Sequence, residues 1–215
     1  MPARCRALRP LLAVALAATR AAADPSAREP VVGRPCEGCE AIFDGLPAAP
    51  AASARLAPAD EPGDPMVLSG RVLGRDGRPR AGVVVYAYQT DASGRYPPGN
   101  DARTRDGRLH GRLRAWVASD AEGRYRFDTV RPGGYPGEAT AQHIHLHVLE
   151  RGCATYYIDD VEFTDDPRLA PQRRASPAPG RGGPGIVTPR REGRGWSVTR
   201  DIVLGQAIPG HPGCP

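Results

Sequence analysis

The sequence predicts an all-β fold: a β-sandwich of mainly antiparallel strands with long active-site loops and an extended N-terminal arm. Three observations lead there. From Met66 onward, short runs rich in Val, Ile, Leu, Tyr and Phe alternate with Gly, Pro and Asp, the punctuation of strands and turns. No apolar period of 3.6 persists for the length of an ordinary helix. The run His143-Ile144-His145-Leu146-His147-Val148 alternates polar with β-branched or aliphatic residues, the period of a strand. Many short strands with frequent turns make a sandwich the economical architecture.

The elements follow in order. Met66–Leu73 reads as the first strand. Arg75–Pro79 is a turn in which Asp76-Gly77 supplies the left-handed residue. Gly82–Tyr88 is the next strand, and a long loop runs from Thr90 to about Gly111. Leu113–Ser119, Ala121-Glu122-Gly123 and Arg124–Asp128 read as strand, turn and strand. Arg131–Gly137 holds two prolines and three glycines and cannot be a regular element. The histidine strand follows, then a strand over Tyr156–Phe163. Asp165–Gly185 is a Pro/Gly/Arg-rich loop. Ile186-Val187-Thr188 and Trp196–Leu204 are expected to close a hairpin across Glu192–Gly195.

The first residues read as a secretory signal rather than as fold. Arg4, Arg6 and Arg9 precede the apolar run Leu11–Ala18, and Ala21-Ala22-Ala23 offers a cleavage site before Asp24. The run is too short to span a bilayer stably. Residues 1–23 are therefore expected to be removed, leaving a periplasmic or extracellular protein with no stable membrane insertion. Residues 24–65, rich in Ala and Pro, form the arm, and residues 66–215 the sandwich domain. Cys5 goes with the signal. Cys36, Cys39, Cys153 and Cys214 suit structural disulfides in an exported chain, with three pairings open. Half of a zinc site is the rival reading of Cys36-Glu37-Gly38-Cys39, but no second ligand pair at suitable spacing supports it. Every basic side chain other than His is Arg, giving a formal charge of +5. The arginines interleave with acids (Arg103, Asp106, Arg108, Asp120, Arg124, Asp128) instead of clustering on one face, which argues against a nucleic-acid partner.

The chain has five histidines, and three of them share one strand. His143 and His145 point to one face about 7 Å apart, within reach of one metal ion. The other reading is a set of satisfied core imidazoles. His147 shares the face, but its Cα lies about 13 Å from that of His143, which suits packing or support more than ligation. Tyr96, in Ser93-Gly94-Arg95-Tyr96-Pro97-Pro98, and Tyr135, in the Gly/Pro turn, sit in irregular backbone where chemistry is commonly placed. Each alone reads first as an aromatic lid packed over the sandwich end with its hydroxyl hydrogen-bonded. His110, in the long loop, is expected to be exposed.

Taken in order, Gly70-Arg71-Val72, Asp76-Gly77-Arg78-Pro79, Gly94-Arg95-Tyr96, Thr129–Pro136 and His143-Ile144-His145 resemble the intradiol ring-cleavage dioxygenases over about residues 66–165. The arm with its Cys-Glu-Gly-Cys looks like that of exported relatives of the protocatechuate 3,4-dioxygenase beta subunit. The resemblance implies a mononuclear non-haem Fe(III) centre held by Tyr96, Tyr135, His143 and His145. Fe(III) is hard and highly charged and suits phenolate oxygen. A phenol, neutral at pH 7 with a pKa of about 10, ionises beside such a cation. The implied reaction inserts both atoms of O2 and cleaves a catechol between its hydroxylated carbons, giving a cis,cis-muconate-type diacid. Tyr96 or Tyr135 would leave the metal and take up a substrate proton.

Two positions depart from the family pattern. The family's Arg-Pro-Ala before His-x-His reads Thr140-Ala141-Gln142 here, so Thr140 stands where an arginine usually supports the reaction; Arg131 is a candidate substitute. Tyr88 stands where the family often has Trp. Without the helical dimerisation region of the catechol 1,2-dioxygenases, the chain is expected to be a monomer or a homo-oligomer joined through its arm. Two other classes remain open: a non-enzymatic exported β-sandwich binding module, and a zinc or copper binder using His143, His145 and His147.

Overall fold

A computed structural model describes residues 28–36, 38–99, 101–175 and 180–214. The expected signal segment lies outside the described residues. A 3-10 helix at Cys39–Phe43 is followed by β1 (Ser53–Arg55), β2 (Pro65–Leu73), β3 (Val84–Gln89), α1 (Arg105–Leu109), β4 (Arg114–Ala118), β5 (Arg124–Val130), β6 (His143–Glu150), β7 (Ala154–Phe163), α2 (Pro171–Ala175), β8 (Ile186–Val187), β9 (Arg190–Glu192), β10 (Gly195–Thr199) and β11 (Ile202–Val203). They form two sheets, ordered β1-β5-β2-β10-β9, with β11 also on β2, and β4-β3-β6-β7-β8. The long pairings are antiparallel, and β1, β8, β10 and β11 add parallel pairings. The all-β sandwich is the observed class.

Strand alternation sorts the second sheet into two unlike faces. Val85 and Ala87 of β3, Ala115 and Val117 of β4, and Ile144, Leu146 and Val148 of β6 turn inward. They meet Leu68, Val72, Tyr125 and Phe127 of the first sheet in one apolar core. A buried aliphatic or aromatic side chain of this kind contributes about 1.5–3 kcal/mol. The opposite face carries Tyr86, Tyr88, Trp116 and the three strand histidines. It is covered by the 3-10 helix through Ala41 and Ile42, and Trp116 Nε1 donates to Ile42 O at 2.6 Å. The arm therefore roofs the polar face of this sheet and also supplies β1.

Three local expectations are corrected. Ile186–Val187 does not join the closing hairpin; it pairs parallel to β7 in the other sheet, while Arg190–Glu192 takes its place opposite Gly195–Ser197. The expected run Trp196–Leu204 breaks at Arg200-Asp201, where Arg200 is buried and its Nη1 donates to Gly182 O and Asp201 O. The long loop contains α1, which is too short for a hydrophobic period to reveal. The four cysteines pair as Cys36–Cys39 and Cys153–Cys214.

Candidate metal centre

Two loops and one strand meet at the edge of the polar face. Asp91 and Thr90, just beyond β3, bind both loops: Gly133 N donates to Asp91 O, and Thr90 Oγ1 to Gly133 O. Asp91 Oδ1 also accepts from Ser93 N and Arg95 N, folding the turn before Tyr96. Gly94 adopts φ +81°, and a Cβ there would meet Gly134 O at 2.1 Å. Only glycine lets the two backbones approach this closely, so the Tyr96 loop and the Tyr135 turn present their phenols together. Beneath them Gln89 is fully buried. It donates from Nε2 to Thr90 O and Val130 O and accepts from Thr129 Oγ1, tying the ends of β3 and β5.

The four residues predicted as ligands come together at their tips. Tyr96 Oη lies 2.7 Å from Tyr135 Oη and 2.8 Å from His145 Nε2. His143 Nε2 lies 3.2 Å from Tyr135 Oη and 3.0 Å from His145 Nε2. The far sides of the imidazoles fix their tautomers. His143 Nδ1 faces Ala141 O at 2.7 Å, and His145 Nδ1 faces Asp160 Oδ1 at 2.9 Å. A carbonyl and a carboxylate only accept, so in the neutral rings both Nδ1 atoms carry the proton and both Nε2 atoms present lone pairs. Two hydroxyl protons can then bridge at most two of the four short contacts. The other two set lone pair against lone pair, a conflict that a cation among the four atoms removes. The donor set therefore fits a metal, and two phenols with two imidazoles fit a hard, highly charged one.

The electrostatics point the same way. Burial raises the Tyr96 phenol far above its usual range, and its contact with Tyr135 adds to this; burial also raises Tyr135. Burial lowers His143, with His145 contributing, and keeps the ring neutral. Burial pushes the Asp160 carboxyl up, but the neighbouring His145 outweighs it and holds the group in its ionised form. Without a cation both phenols stay protonated; a cation is what ionises them.

Asp160 escaped the sequence reading. It reaches His145 because β7 carries one extra residue between the pairings Ile144–Val161 and Leu146–Ile158. That bulge re-aims the side chain. The available signal was an acidic pair, Asp159-Asp160, in the middle of a strand rich in aromatic and aliphatic residues. His110 was misread as exposed. It is buried, stacks on Tyr88 at 3.6 Å and 2°, and its Nδ1 lies 2.9 Å from Tyr86 Oη. Burial lowers its pKa to about 3. Tyr88 stacks on His145 from the other side, at 4.4 Å, so it braces a candidate ligand. His147 is buried and groups with Cys36 and Cys39, apart from the four converging tips. Arg131, the candidate for the missing arginine's role, is not among the residues lining the cleft: it pairs with Asp165 and Gln142 and stacks over Trp196. Gln142 Oε1 accepts from Arg131 Nε. Thr140 Oγ1 donates to Glu138.

A cleft of about 710 Å³ opens onto Tyr96, Tyr135 and His145. Its walls are Tyr88, the arm residues Cys36, Gly38 and Glu40, and the α1 region with Arg105, Asp106, Leu109 and His110. Arg105 is the one arginine among them.

Comparison with known proteins places this geometry. The family described as Dioxygenase matches residues 47–173. The chain is 34% identical over 115 residues to the protocatechuate 3,4-dioxygenase beta chain of Burkholderia cepacia, covering 50% of this chain and 48% of that one. It is 36% identical over 98 residues to catechol 1,2-dioxygenase 1 of Acinetobacter lwoffii, covering 43% and 29%. The chain thus spans about half or less of the length of these curated relatives. Among solved structures, the dioxygenase domain of a dioxygenase carbohydrate-binding protein fusion from Streptomyces sp. SirexAA-E superposes with TM-score 0.55 at 27% identity, covering 74% of this chain and 90% of that one. Catechol 1,2-dioxygenase from Pseudomonas arvilla C-1 shares the fold, with TM-score 0.53 at 22% identity over 73% and 57%. A family match that runs from the arm through β7 and includes both tyrosine loops and the histidine strand makes this chain a member of the intradiol ring-cleavage dioxygenases.

Proposed function

We propose that this protein is an intradiol dioxygenase that binds Fe(III) through Tyr96, Tyr135, His143 and His145 and cleaves a catechol-type ring between its two hydroxylated carbons with O2. The observation that carries the reading is the convergence of two phenol oxygens and two bare imidazole nitrogens, with outer partners that force both lone pairs inward. When bound, Fe(III) supplies the Lewis acidity that holds the catechol oxygens and the electron acceptor that opens the ring to O2. The remaining work belongs to the chain. Asp160 and Ala141 O hold the two imidazoles in their ligating tautomers. Tyr88 and His110 brace His145 from behind with stacked rings. With the metal bound, Oη of Tyr96 or Tyr135 would be the base that takes up a catechol proton. The cleft between α1 and the arm, about 710 Å³, has room for an aromatic ring beside the two phenols. The basic, apolar N-terminal run and the two disulfides support export to the periplasm or beyond.

The purified protein is expected to be red-brown from tyrosinate-to-iron charge transfer and to consume O2 with catechols. Tyr135→Phe should lose most of that colour while keeping a native circular dichroism spectrum. A protein that stays colourless and metal-free after ferric loading would refute the reading.

A further inference from the structure

Behind the cleft wall lies a second convergence of ligand atoms. Cys36, Cys39 and His147 each offer one ligand atom, all within 4.8 Å of one another. The cysteines come from the arm and the histidine from β6, far apart in sequence, so no spacing motif could reveal the set. His147 is 3% exposed; its ring hydrogen-bonds the Cys39 backbone, and its Nδ1 is left with no hydrogen-bond partner. A buried polar atom left without a partner is uncommon and points to a missing ligand or ion. Cys39 is fully buried beside it, while Cys36 lies on the cleft wall. In the structure the two sulfurs are bonded to each other. That bond spans a sequence separation of 3, against 61 for Cys153–Cys214, so it constrains the unfolded chain far less.

We infer that Cys36, Cys39 and His147 form a redox-gated site for a thiophilic d10 cation, Zn(II) or Cu(I), separate from the tyrosine–histidine centre. Two thiolates and an imidazole are the donor set that selects such ions over hard ones. A dithiol reductant opens the site. It transfers two electrons and two protons to the disulfide, the S–S bond breaks to two Cys thiols, and the reductant closes to its own disulfide. Binding then releases both thiol protons to solvent as the thiolates take the cation. In the oxidised state the sulfurs are spent on each other and the site is closed. Three protein ligands would leave a fourth position to water or an incoming ligand.

Co(II), added to the purified full chain, tests this. The protein is reduced with a phosphine, freed of reductant under anaerobic conditions and titrated. The reduced protein should gain a thiolate-to-cobalt charge-transfer band in the near ultraviolet that the oxidised protein lacks. Cys36→Ser/Cys39→Ser should abolish the band, which separates this site from Cys153 and Cys214. His147→Gln, which keeps bulk and an amide donor, should weaken Co(II) by more than about tenfold, the least that losing even a supporting partner does. Competition with Zn(II) and with Cu(I) then ranks the two cations. No band in the reduced protein, a band that survives in Cys36→Ser/Cys39→Ser, or unchanged affinity in a folded His147→Gln would each overturn the assignment.

Discussion

Asp160 acts at the scale of one proton. Its carboxylate accepts from His145 Nδ1 and so leaves Nε2 bare toward the two phenols. Removing it frees the ring to turn over or to move its proton to Nε2, and either change costs a ligand. Asp160→Ala is therefore expected to weaken ferric iron by about 10–100-fold, read by chelator competition against the visible band. Asp160→Asn should recover part of that loss, because its amide oxygen still accepts from Nδ1. Equal iron affinity in Asp160→Ala and the parent would show that the tautomer is held otherwise. The four converging residues were legible in the sequence because they sit in short local patterns: a Gly-Arg-Tyr turn, a Gly-Gly-Tyr-Pro turn and an alternating His-x-His. Asp160 was not, since its direction depends on a bulge defined only by pairing with β6. His110 was misjudged for a similar reason. Its neighbours Arg108 and Leu109 are exposed, and what covers His110 is Tyr86 and Tyr88 from a distant strand.

Between elements, two buried polar residues hold the cleft in shape. Gln89 joins the end of β3 to the end of β5, and the two tyrosine loops spring from those ends. Gln89→Leu would leave Thr129 Oγ1 and two backbone carbonyls without their partner. At about 1–3 kcal/mol for a buried polar group left unmade, a loss of about 3 kcal/mol in urea unfolding is expected, together with weaker iron retention. A fully stable, fully loaded Gln89→Leu would mean that the glycine contacts alone dock the loops. Asp44 ties the 3-10 helix to α1, accepting from Thr104 Oγ1, Thr104 N and Arg103 N. Burial pushes its pKa up, but the bonds from Thr104 and Arg103 and the charge of Arg114 outweigh this and lower it to about 2. A folded pKa below the unfolded one gives stability that is present above pH 3.8 and lost as pH falls toward 2. Unfolding midpoints between pH 5 and 2 should therefore fall less steeply in Asp44→Asn than in the parent; parallel curves would count against the linkage. Strand positions were legible where β-branched, aliphatic or aromatic residues run between turn residues, as in β2, β3, β6 and β7. Ile186–Val187 was misassigned because a two-residue strand has no period, and only the other sheet decides where it pairs.

Across the whole molecule, the second sheet has one face for stability and one for chemistry, and the chain is pinned at both ends of that division. At one end the arm crosses the polar face and is closed by Cys36–Cys39. At the other, Cys153 in the β6–β7 turn holds Cys214 near the C-terminus, with Glu150 accepting from Tyr156 Oη and His211 Nε2 beside it. The two bridges differ in what they restrain. In the chain-entropy account a loop of separation 3 adds about 2 kcal/mol and one of separation 61 about 4 kcal/mol. For a domain of this size about 4 kcal/mol corresponds to roughly 8–16 °C in Tm. Cys153→Ser/Cys214→Ser should therefore melt far below the parent, whereas Cys36→Ser/Cys39→Ser should lose about half as much or less. Thermal melts of the two double variants under non-reducing conditions make the comparison. The opposite order would mean that the Cys36–Cys39 bridge is the main staple, and that the arm holds the sandwich together rather than merely roofing its polar face.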